Sequence, residues 1–306
     1  MASGARPWPK GLCGPLRKGQ VGVVKFSVNI PCFGDFADPR TVGDLARTAE
    51  EAGWDGLFVW DHLVHGFHGD RPFGDPWMLL TAAALSTSRL RLGTLVTPVA
   101  RRRPQALARQ VATLDAVSGG RVTLGVGLGG PIDDEYGRFG DTTDPVELAG
   151  RLDEALPLLA AYWSGRPVSH AGEHYTVDDV TLLPPTVQQP RVPIWVGGFW
   201  PSRPPMRRAA RWDGVVPLFR EHRHGDVPPV EMVRDVLAYV GEQRGSLDGF
   251  DVVLGGVTSP EAAADVVGPL AEAGATWWDE RQLQRGPDID SLAAVLRRVE
   301  AGPPRL

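Results

Sequence analysis

The pattern of hydrophobic and polar positions alternates between two periods from Val21 onward. Short runs dense in apolar and β-branched residues, such as Val23 to Ile30 (VVKFSVNI), are typical of buried strands. Longer stretches with apolar residues three and four positions apart, such as Thr41 to Ala52, are typical of helices that face a core. Glycine or proline separates most neighbouring segments, so the pattern predicts a series of β-α units.

The series contains eight predicted strands and eight predicted helices. The strands are predicted at 23–30, 57–60, 90–96, 121–128, 194–196, 214–217, 251–254 and 275–278. The helices are predicted at 41–52, 75–86, 104–117, 145–163, 205–211, 228–243, 260–273 and 289–301. Eight alternations of roughly thirty residues each favour a closed (β/α)₈ TIM barrel of the α/β class over an open doubly wound sheet, which has about five or six strands per domain.

A segment at 166–192 interrupts the alternation. Short strand-like runs at 175–177 and 180–183 stand beside prolines that exclude a helix. We interpret this segment as an insertion that covers the site. Residues 1–20 precede the pattern and are expected to be disordered or loosely attached, whereas residues 21–306 are expected to form one barrel domain.

Composition narrows the functional classes. The chain has 32 Lys and Arg against 37 Asp and Glu, a net charge of −5, and so lacks the basic excess typical of proteins that bind nucleic acid or anionic membranes. No apolar run approaches the roughly 20 residues of a membrane span, and residues 1–20 lack the apolar centre of a signal peptide. Cys13 and Cys32 are the only cysteines, which excludes a disulfide framework and a cysteine metal site. Together these features predict a cytoplasmic protein.

The second predicted strand ends on an ionisable pair. In the run Gly56 to Leu63 (GLFVWDHL), Asp61 and His62 come directly after the apolar residues. Proteins with parallel sheets assemble their sites at this end of the strands. A histidine beside a carboxylate can donate or accept a proton near neutral pH, so the pair is a candidate for proton transfer. The alternative is a solvent-facing histidine, with Asp61 capping a turn.

A metal site at the same place is not predicted. His62, His65 and His68 are three residues apart, with Asp61 and Asp70 close by. This spacing would place the rings on one face of a helix, but glycine and proline within 66–72 make the segment a loop. The other histidines lie in the insertion or after a later strand, so the ligands that a metal would need from other strands are few.

Two glycine-rich stretches follow predicted strands. Gly125, Gly127 and Gly130 match G-x-G-x-x-G, but a dinucleotide site needs a helix to begin at once, and here Pro131 and the acidic run 133–135 follow. We therefore interpret these glycines as positions where a flat ring or a backbone can approach closely.

The second stretch is Gly197-Gly198. A helix with Arg207, Arg208 and Arg211 follows it, so backbone N–H groups and guanidinium groups could bind a phosphate. A glycine turn beside a solvated basic face is the equal alternative.

Several segments in this order and spacing resemble one known family. They are GLFVWDHL, RLRLGTLVTPVARRRPQALARQVATLDAVSGGRVTLGVGLG, RLDEALPLLAAYWSG, PRVPIWVGG and AARWDGVVP, and they span roughly residues 23–220. The chain resembles the bacterial luciferase-like (LLM class) flavin- or deazaflavin-dependent oxidoreductases. The resemblance implies a barrel without a metal, with a flavin or deazaflavin ring over its C-terminal mouth.

The resemblance also implies roles for individual residues. The Asp-His pair resembles the branch of the family that uses the deazaflavin coenzyme F420 for hydride transfer. His62 would then exchange a proton near C5 of that ring, or N5 of a flavin, with Asp61 beside it. The Leu95–Val96 peptide corresponds to the family's non-prolyl cis bond behind the ring, and Gly197-Gly198 to its phosphate-binding turn. The implied cofactor-binding positions are Leu95, Val96, Thr97, Gly127, Gly129, Gly197, Gly198 and Phe199.

The leading hypothesis is an oxidoreductase that uses F420 for hydride transfer to or from a small organic substrate. The alternative within the fold is an FMN-dependent monooxygenase that uses O₂ and reduced flavin from a partner reductase. A noncatalytic flavin-binding homologue and a metal hydrolase are the hypotheses from other classes, and the Asp61–His62 pair argues against the first of these.

One residue departs from the family pattern. Gly130 stands where several deazaflavin dehydrogenases carry an acidic residue, which argues against a sugar phosphate as substrate. Beyond the small-molecule substrate, the resemblance suggests two partners. They are a flavin or F420 reductase and a second copy of the chain, paired through the helices next to the second and third strands.

Overall fold

A computed structural model describes residues 24–66, 70–220, 222, 225–259, 261–281 and 289–306. The strands in this part of the chain are β1 (Lys25–Ile30), β2 (Gly56–Val59), β3 (Arg91–Pro98), β4 (Val122–Gly127), β5 (Val168–Ala171), β6 (Thr176–Val180), β7 (Ile194–Trp200), β8 (Gly214–Phe219), β9 (Asp251–Gly256) and β10 (Trp277–Glu280). The α-helices are α1 (Pro39–Ala52), α2 (Pro76–Ser86), α3 (Pro104–Ser118), α4 (Ile132–Glu135), α5 (Pro145–Trp163), α6 (Arg203–Ala209), α7 (Val230–Arg244), α8 (Ala263–Ala273) and α9 (Leu292–Glu300).

Eight of these strands close into a parallel barrel. They pair in the order β1-β2-β3-β4-β7-β8-β9-β10, and β10 returns to β1. Ser27 of β1 pairs with Gly56 on one side and with Asp279 on the other, which closes the ring. The predicted (β/α)₈ TIM barrel is therefore confirmed, and the ends of all eight strands meet at one mouth.

Local signals in the sequence set several helix ends. Asp75 is the N-cap of α2, and its carboxylate accepts hydrogen bonds from the backbone N–H groups of Trp77 (2.9 Å) and Met78 (3.1 Å). Helix α3 ends at Gly119, whose φ of 67° lies in the left-handed region that favours glycine. Asp75 and Gly119 thus delimit the predicted helices at 75–86 and 104–117 close to the expected positions.

The insertion forms a hairpin whose pairing differs from the prediction. Strands β5 and β6 pair antiparallel, with Val168 opposite Val180 and Ala171 opposite Thr176. The strand predicted at 175–177 overlaps β6, whereas the strand predicted at 180–183 does not form beyond Val180. The stretch before the turn supplies the partner strand instead, so the ladder ends at Val180.

The hairpin lies against the outside of the barrel. Glu154 of α5 accepts hydrogen bonds from the backbone N–H groups of His174 (2.9 Å) and Tyr175 (2.9 Å). Further along, Gln188 donates to the carboxylate of Asp115 at the end of α3. The body of this segment therefore packs on α5 and α3, while its tip lines a cavity with Arg101–Arg103. The segment connects the end of α5 to the start of β7, and both lie at the end of the barrel away from the mouth, so only its tip reaches the rim.

An aromatic cluster fills the lower part of the barrel. Phe58, Trp195 and Trp277 are buried side chains from β2, β7 and β10. The Trp195 ring centroid lies 5.1 Å from that of Phe58 and 5.3 Å from that of Trp277. Both indole N–H groups donate to Asp251, at 3.0 and 3.2 Å. The cluster is a packed plug, so the room for a ligand lies at the mouth.

A carboxylate at the end of α1 holds the turn that leads into β3. Glu50 accepts hydrogen bonds from the backbone N–H groups of Ser88 (3.0 Å), Arg89 (2.6 Å) and Leu90 (2.7 Å). Partial burial alone would raise its pKa, but these hydrogen bonds outweigh burial and lower the pKa of Glu50 to about 2.

We expect Glu50→Gln to destabilise the protein at neutral pH. Because the pKa of Glu50 is lower in the folded protein, the stabilisation is present above its ordinary value of 4.5 and is lost as the pH falls toward 2. Urea unfolding of the variant and the wild type should therefore differ at pH 7 and converge near pH 2 to 3. Glu51→Gln, at the exposed next position, is the matched control and should unfold like the wild type at every pH. A Glu50→Gln deficit that does not depend on pH would contradict this account.

Candidate active site

The end of β2 leads directly into the mouth. All four residues of β2 are buried, and Trp60, Asp61 and His62 follow them. The Trp60 indole N–H donates to the side-chain oxygen of Asn29 on β1, and its ring stands edge-on to His62 at 5.8 Å between centroids. The predicted position of the Asp61–His62 pair, at the C-terminal edge of the second strand, is confirmed.

Asp61 is an anchor for the chain that follows β3. Its side chain is buried, with 2% of the residue exposed. The carboxylate accepts from the Thr97 hydroxyl (3.0 Å), from Arg102 Nε (3.1 Å) and Nη2 (2.8 Å), and from Arg101. Both carboxylate oxygens are thus bound by cations or a hydroxyl. We assign Asp61 to positioning rather than to proton transfer.

His62 is paired with a carboxylate that comes from a different loop. Its Nδ1 lies 3.0 Å from Oε1 of Glu135, the last residue of α4. Because an ionised carboxylate only accepts hydrogen bonds, we assign the proton to Nδ1. Within the described residues no hydrogen bond reaches Nε2, and the His62 side chain is 15% exposed. Nε2 is therefore the atom through which His62 can exchange a proton at the mouth.

Glu135 links three consecutive loops. It is buried, and its Oε2 accepts from the backbone N–H of Leu63 (3.0 Å) and from Arg101. Arg101 also binds Asp61, so this one guanidinium bridges the two carboxylates. The loops that follow β2, β3 and β4 are therefore joined by charge-assisted hydrogen bonds. Sequence reasoning counted Glu135 only as charge that would repel phosphate; the signal for its role was an acidic residue in the loop after a barrel strand.

The side chain of Cys32 contacts the backbone of His62. Its sulfur lies 3.4 Å from the His62 backbone nitrogen and 3.6 Å from the His62 carbonyl oxygen. Burial raises the pKa of the Cys32 thiol to about 12, so the group stays protonated at neutral pH. It acts as a small buried side chain that holds the end of β2 against β1.

The ends of β3, β4 and β7 form a second surface of the mouth, which we call the floor and which carries few large side chains. The Leu95–Val96 peptide bond is cis, as the resemblance implies, and β3 shifts register against β4 between Thr94 and Thr97. Val96 lies between Gly127 and Gly197, where an added Cβ would come within 2.9 and 3.0 Å of its methyl groups. Only glycine leaves room here, and Leu95, Val96 and Gly197 remain partly exposed. The backbone beside Val96 is therefore free of larger side chains.

The other predicted glycines pack against proline. A Cβ on Gly129, which has a φ of 75°, would lie 2.6 Å from Pro98. A Cβ on Gly198 would lie 2.2 Å from Pro205 of α6. These positions therefore allow close packing of the rim.

Two of the three candidate phosphate-binding arginines after Gly198 are bound by a carboxylate of the neighbouring helix. Arg208 is buried and binds Asp153 of α5 through Nε (2.9 Å) and Nη2 (2.7 Å). Arg211 binds the same carboxylate at 2.6 Å. Their charges thus tie α6 to α5, whereas Arg207 is exposed.

Two cavities open at the rim. One, of about 240 Å³, lies at the ends of β7 to β10 and is lined by Phe199, Leu218, Phe219, Gly255 and Arg281 among others. The other, of about 510 Å³, is polar and lies between Arg101–Arg103 and the tip of the hairpin. Of the predicted cofactor-binding residues, Phe199 lines the first cavity.

The histidine cluster is only partly described. The rings of His62 and His65 meet edge-on at 4.8 Å, while His68 and His224 lie outside the described residues. In the described ranges, no three or more His, Cys, Asp or Glu side chains are grouped so that they could hold a metal ion. Over the same ranges, no helix has both the length and the apolar character that a membrane crossing requires.

Comparison with known families agrees with the barrel. Residues 21–276 match the model of the luciferase-like monooxygenase family. The protein belongs to this family. A curated relative of this luciferase-like protein is the F420-dependent glucose-6-phosphate dehydrogenase of Beutenbergia cavernae, 40% identical over 168 residues, which are 54% of this chain and 48% of the relative. The chain thus spans about half the length of the curated relatives it matches.

Solved structures share the fold of this luciferase-like protein. The coenzyme F420 dependent tetrahydromethanopterin reductase of Methanopyrus kandleri matches with a TM-score of 0.70 and 17% identity, covering 90% of this chain and 97% of that one. The FMN-bound oxygenating constituent of 3,6-diketocamphane monooxygenase from Pseudomonas putida matches with a TM-score of 0.68 and 15% identity, covering 92% and 100%. At such identities the likeness concerns the fold alone.

Proposed function

We propose that this protein is an oxidoreductase that uses coenzyme F420 for hydride transfer to or from a small organic substrate. The observation that carries the proposal is the contact between His62 Nδ1 and the buried Glu135, at 3.0 Å. This contact fixes the imidazole at the strand end with Nε2 available for proton exchange. The names of the curated relatives, which are F420-dependent dehydrogenases, support the choice of coenzyme.

The residues at the mouth suit a flat coenzyme. Leu95 and Val96 would lie behind the ring, and Gly127 and Gly197 leave the space beside Val96 free of side chains. The deazaflavin, when bound, supplies the hydride chemistry. His62 would take up or release the accompanying proton through Nε2, while Glu135 and Arg101 hold the imidazole in place.

The substrate is proposed to differ from that of the curated relatives. Those relatives are named as glucose-6-phosphate dehydrogenases, but Gly130 replaces the acidic residue that the resemblance would require. The carboxylate beside His62 comes instead from Glu135, five positions further along the chain. We expect no turnover of glucose 6-phosphate in an assay of F420 reduction.

Titration of the purified protein with F420 and with FMN tests the coenzyme. We expect F420 to bind at least about tenfold more tightly, as followed by its fluorescence. Activity is then sought with F420 or its reduced form and a panel of small alcohols, ketones and unsaturated acids. Tighter binding of FMN, with oxygen uptake in the presence of reduced FMN, would favour the monooxygenase alternative and contradict the proposal.

The location of the protein in the cell, its partner enzyme and its oligomeric state are part of the same proposal. We infer a cytoplasmic protein whose coenzyme is recycled by a separate F420 reductase, and a homodimer formed through α2 and α3. Met78 and Leu85 on α2 and Val117 on α3 are large apolar side chains that are 54%, 75% and 42% exposed. Light scattering of the purified protein checks the dimer, and a monomer at all concentrations would contradict it.

Glu135→Gln is expected to lower turnover by about 10- to 10³-fold, less than the loss of His62 itself. Glutamine keeps the shape of the side chain but removes the negative charge that orients and stabilises the imidazole. The measurement is kcat beside the Kd for F420, which should change less than threefold, about 0.65 kcal/mol. A parallel loss of F420 binding would show instead that Glu135 serves only the structure of the mouth.

A further inference from the structure

Arg281 is a buried cation at the mouth that the proposed proton transfer does not use. It follows the last residue of β10 and is 6% exposed. It lines the 240 Å³ cavity together with Phe199 and Leu218. A charged group so well removed from water is costly unless it has a partner.

Only part of the Arg281 guanidinium is satisfied by the protein. Its Nε donates to Asp279 at 2.8 Å. Asp279 in turn accepts from the Ser27 hydroxyl (2.8 Å) and from the Asn29 amide (2.9 Å), so its negative charge is shared among three donors. In the part of the chain that the structure describes, no hydrogen bond involves the two terminal nitrogens of Arg281. These nitrogens are not fully enclosed by protein, and Arg281 lines the cavity.

A glycine holds this guanidinium in one orientation. A Cβ on Gly255 of β9 would lie 2.3 Å from Arg281 Nε and 2.6 Å from Cζ. The planar group therefore lies against the backbone of β9, where any larger residue would displace it. With Nε bonded and one face covered, the terminal nitrogens form a fixed pair of donors, which is the geometry that a carboxylate accepts.

We propose that Arg281 binds a carboxylate of the substrate in the 240 Å³ cavity. This inference rests on the proposed function and narrows its substrate to a small organic acid with an apolar body. The aliphatic and aromatic lining from Phe199, Leu218 and Phe219 suits that body. The cavity is smaller than the roughly 300–1,000 Å³ of sites for drug-sized ligands, so it suits a small molecule rather than a tricyclic coenzyme. A carboxylate is favoured over a phosphate dianion because Asp226 lines the same cavity and Asp279 already neutralises part of the Arg281 charge, so a doubly charged anion would be repelled more strongly.

The test compares benzoate with its neutral isostere benzamide by calorimetry. The wild type is expected to bind benzoate about tenfold or more tightly than benzamide, because charge-assisted hydrogen bonds are stronger than neutral ones. Arg281→Met should abolish this preference. Since that variant leaves Asp279 buried without its cation, the double variant Arg281→Met/Asp279→Asn, in which the cavity loses both charges, is measured as well. A preference that survives in either variant, or that is missing in the wild type, would overturn the proposal.

Two further measurements test whether Arg281 binds a phosphate or the coenzyme instead of a substrate carboxylate. Inorganic phosphate that binds the wild type more tightly than benzoate does would overturn the choice of a carboxylate. Both variants should keep F420 affinity within about threefold, or 0.65 kcal/mol. A loss of F420 binding beyond that would assign Arg281 to the coenzyme and overturn the proposal. If the wild type binds benzoate as expected but does not bind F420, the proposed function fails while the carboxylate site stands.

Discussion

His62→Ala is expected to lower turnover by about 10²- to 10⁴-fold, the usual contribution of a positioned proton donor or acceptor. The variant removes the only ring nitrogen that we assign to proton exchange at the mouth, while the floor formed by Leu95, Val96 and the glycines is unchanged. F420 should therefore still bind with an affinity near that of the wild type. The measurement is kcat with whichever substrate of the panel the wild type converts, beside a fluorescence titration with F420.

His170→Ala is a matched control for this variant. His170 also contacts a glutamate, with its Nε2 2.8 Å from Oε1 of Glu154, but it lies on the hairpin outside the barrel. Its loss should change kcat by less than about twofold, or 0.4 kcal/mol. Wild-type turnover in His62→Ala would remove the assignment. Equal losses of kcat in the two variants would show that the effect of His62→Ala comes from the fold and not from proton transfer.

Asp61→Ala is expected to lower the free energy of unfolding by about 3–5 kcal/mol, because it leaves the Arg102 guanidinium without its carboxylate partner and Arg101 with Glu135 alone. The side chains of Arg101 and Arg102 are only 8% and 16% exposed, and both bind this one carboxylate. Urea unfolding gives the measurement. Asp44→Ala, which breaks an exposed ion pair with Arg47 on α1, is the control and should cost no more than about 1 kcal/mol.

This variant also separates the two roles that Asp61 could have. If Asp61→Ala unfolds like the wild type while its turnover falls as far as that of His62→Ala, the carboxylate takes part in the chemistry itself. The predicted order is the opposite, with the larger effect on stability. Asp61→Asn should lie between, since the amide oxygen can still accept from Thr97 or an arginine.

Much of the barrel could be predicted because its signals are local. A buried parallel strand is a short apolar run, and an amphipathic helix repeats within each turn, so the alternation from Val23 to Ala301 could be followed segment by segment. The end of β2 was identified for the same reason. Four buried apolar residues followed by Asp61 and His62 can be recognised without knowledge of the neighbouring strands.

The partners of these residues could not be predicted because they come from distant parts of the chain. Glu135 is 73 positions from His62, and Arg101 is 40 from Asp61. No periodicity links such residues; the barrel brings them together only when β2, β3 and β4 are paired. The same holds for the contact of Arg281 with Gly255, which forms only once β9 and β10 lie side by side. The chemical type of Asp61 suggested proton transfer, and its arginine partners, which favour a positioning role, could not be read from the sequence.

The buried side chains of Phe58, Trp195 and Trp277 close the interior of the barrel below the mouth. Within the described part of the chain, whatever reaches His62 must therefore enter and leave through one opening. Reactant and product cannot pass each other in such a dead end. Product would therefore have to leave through the mouth before the next reactant can reach His62.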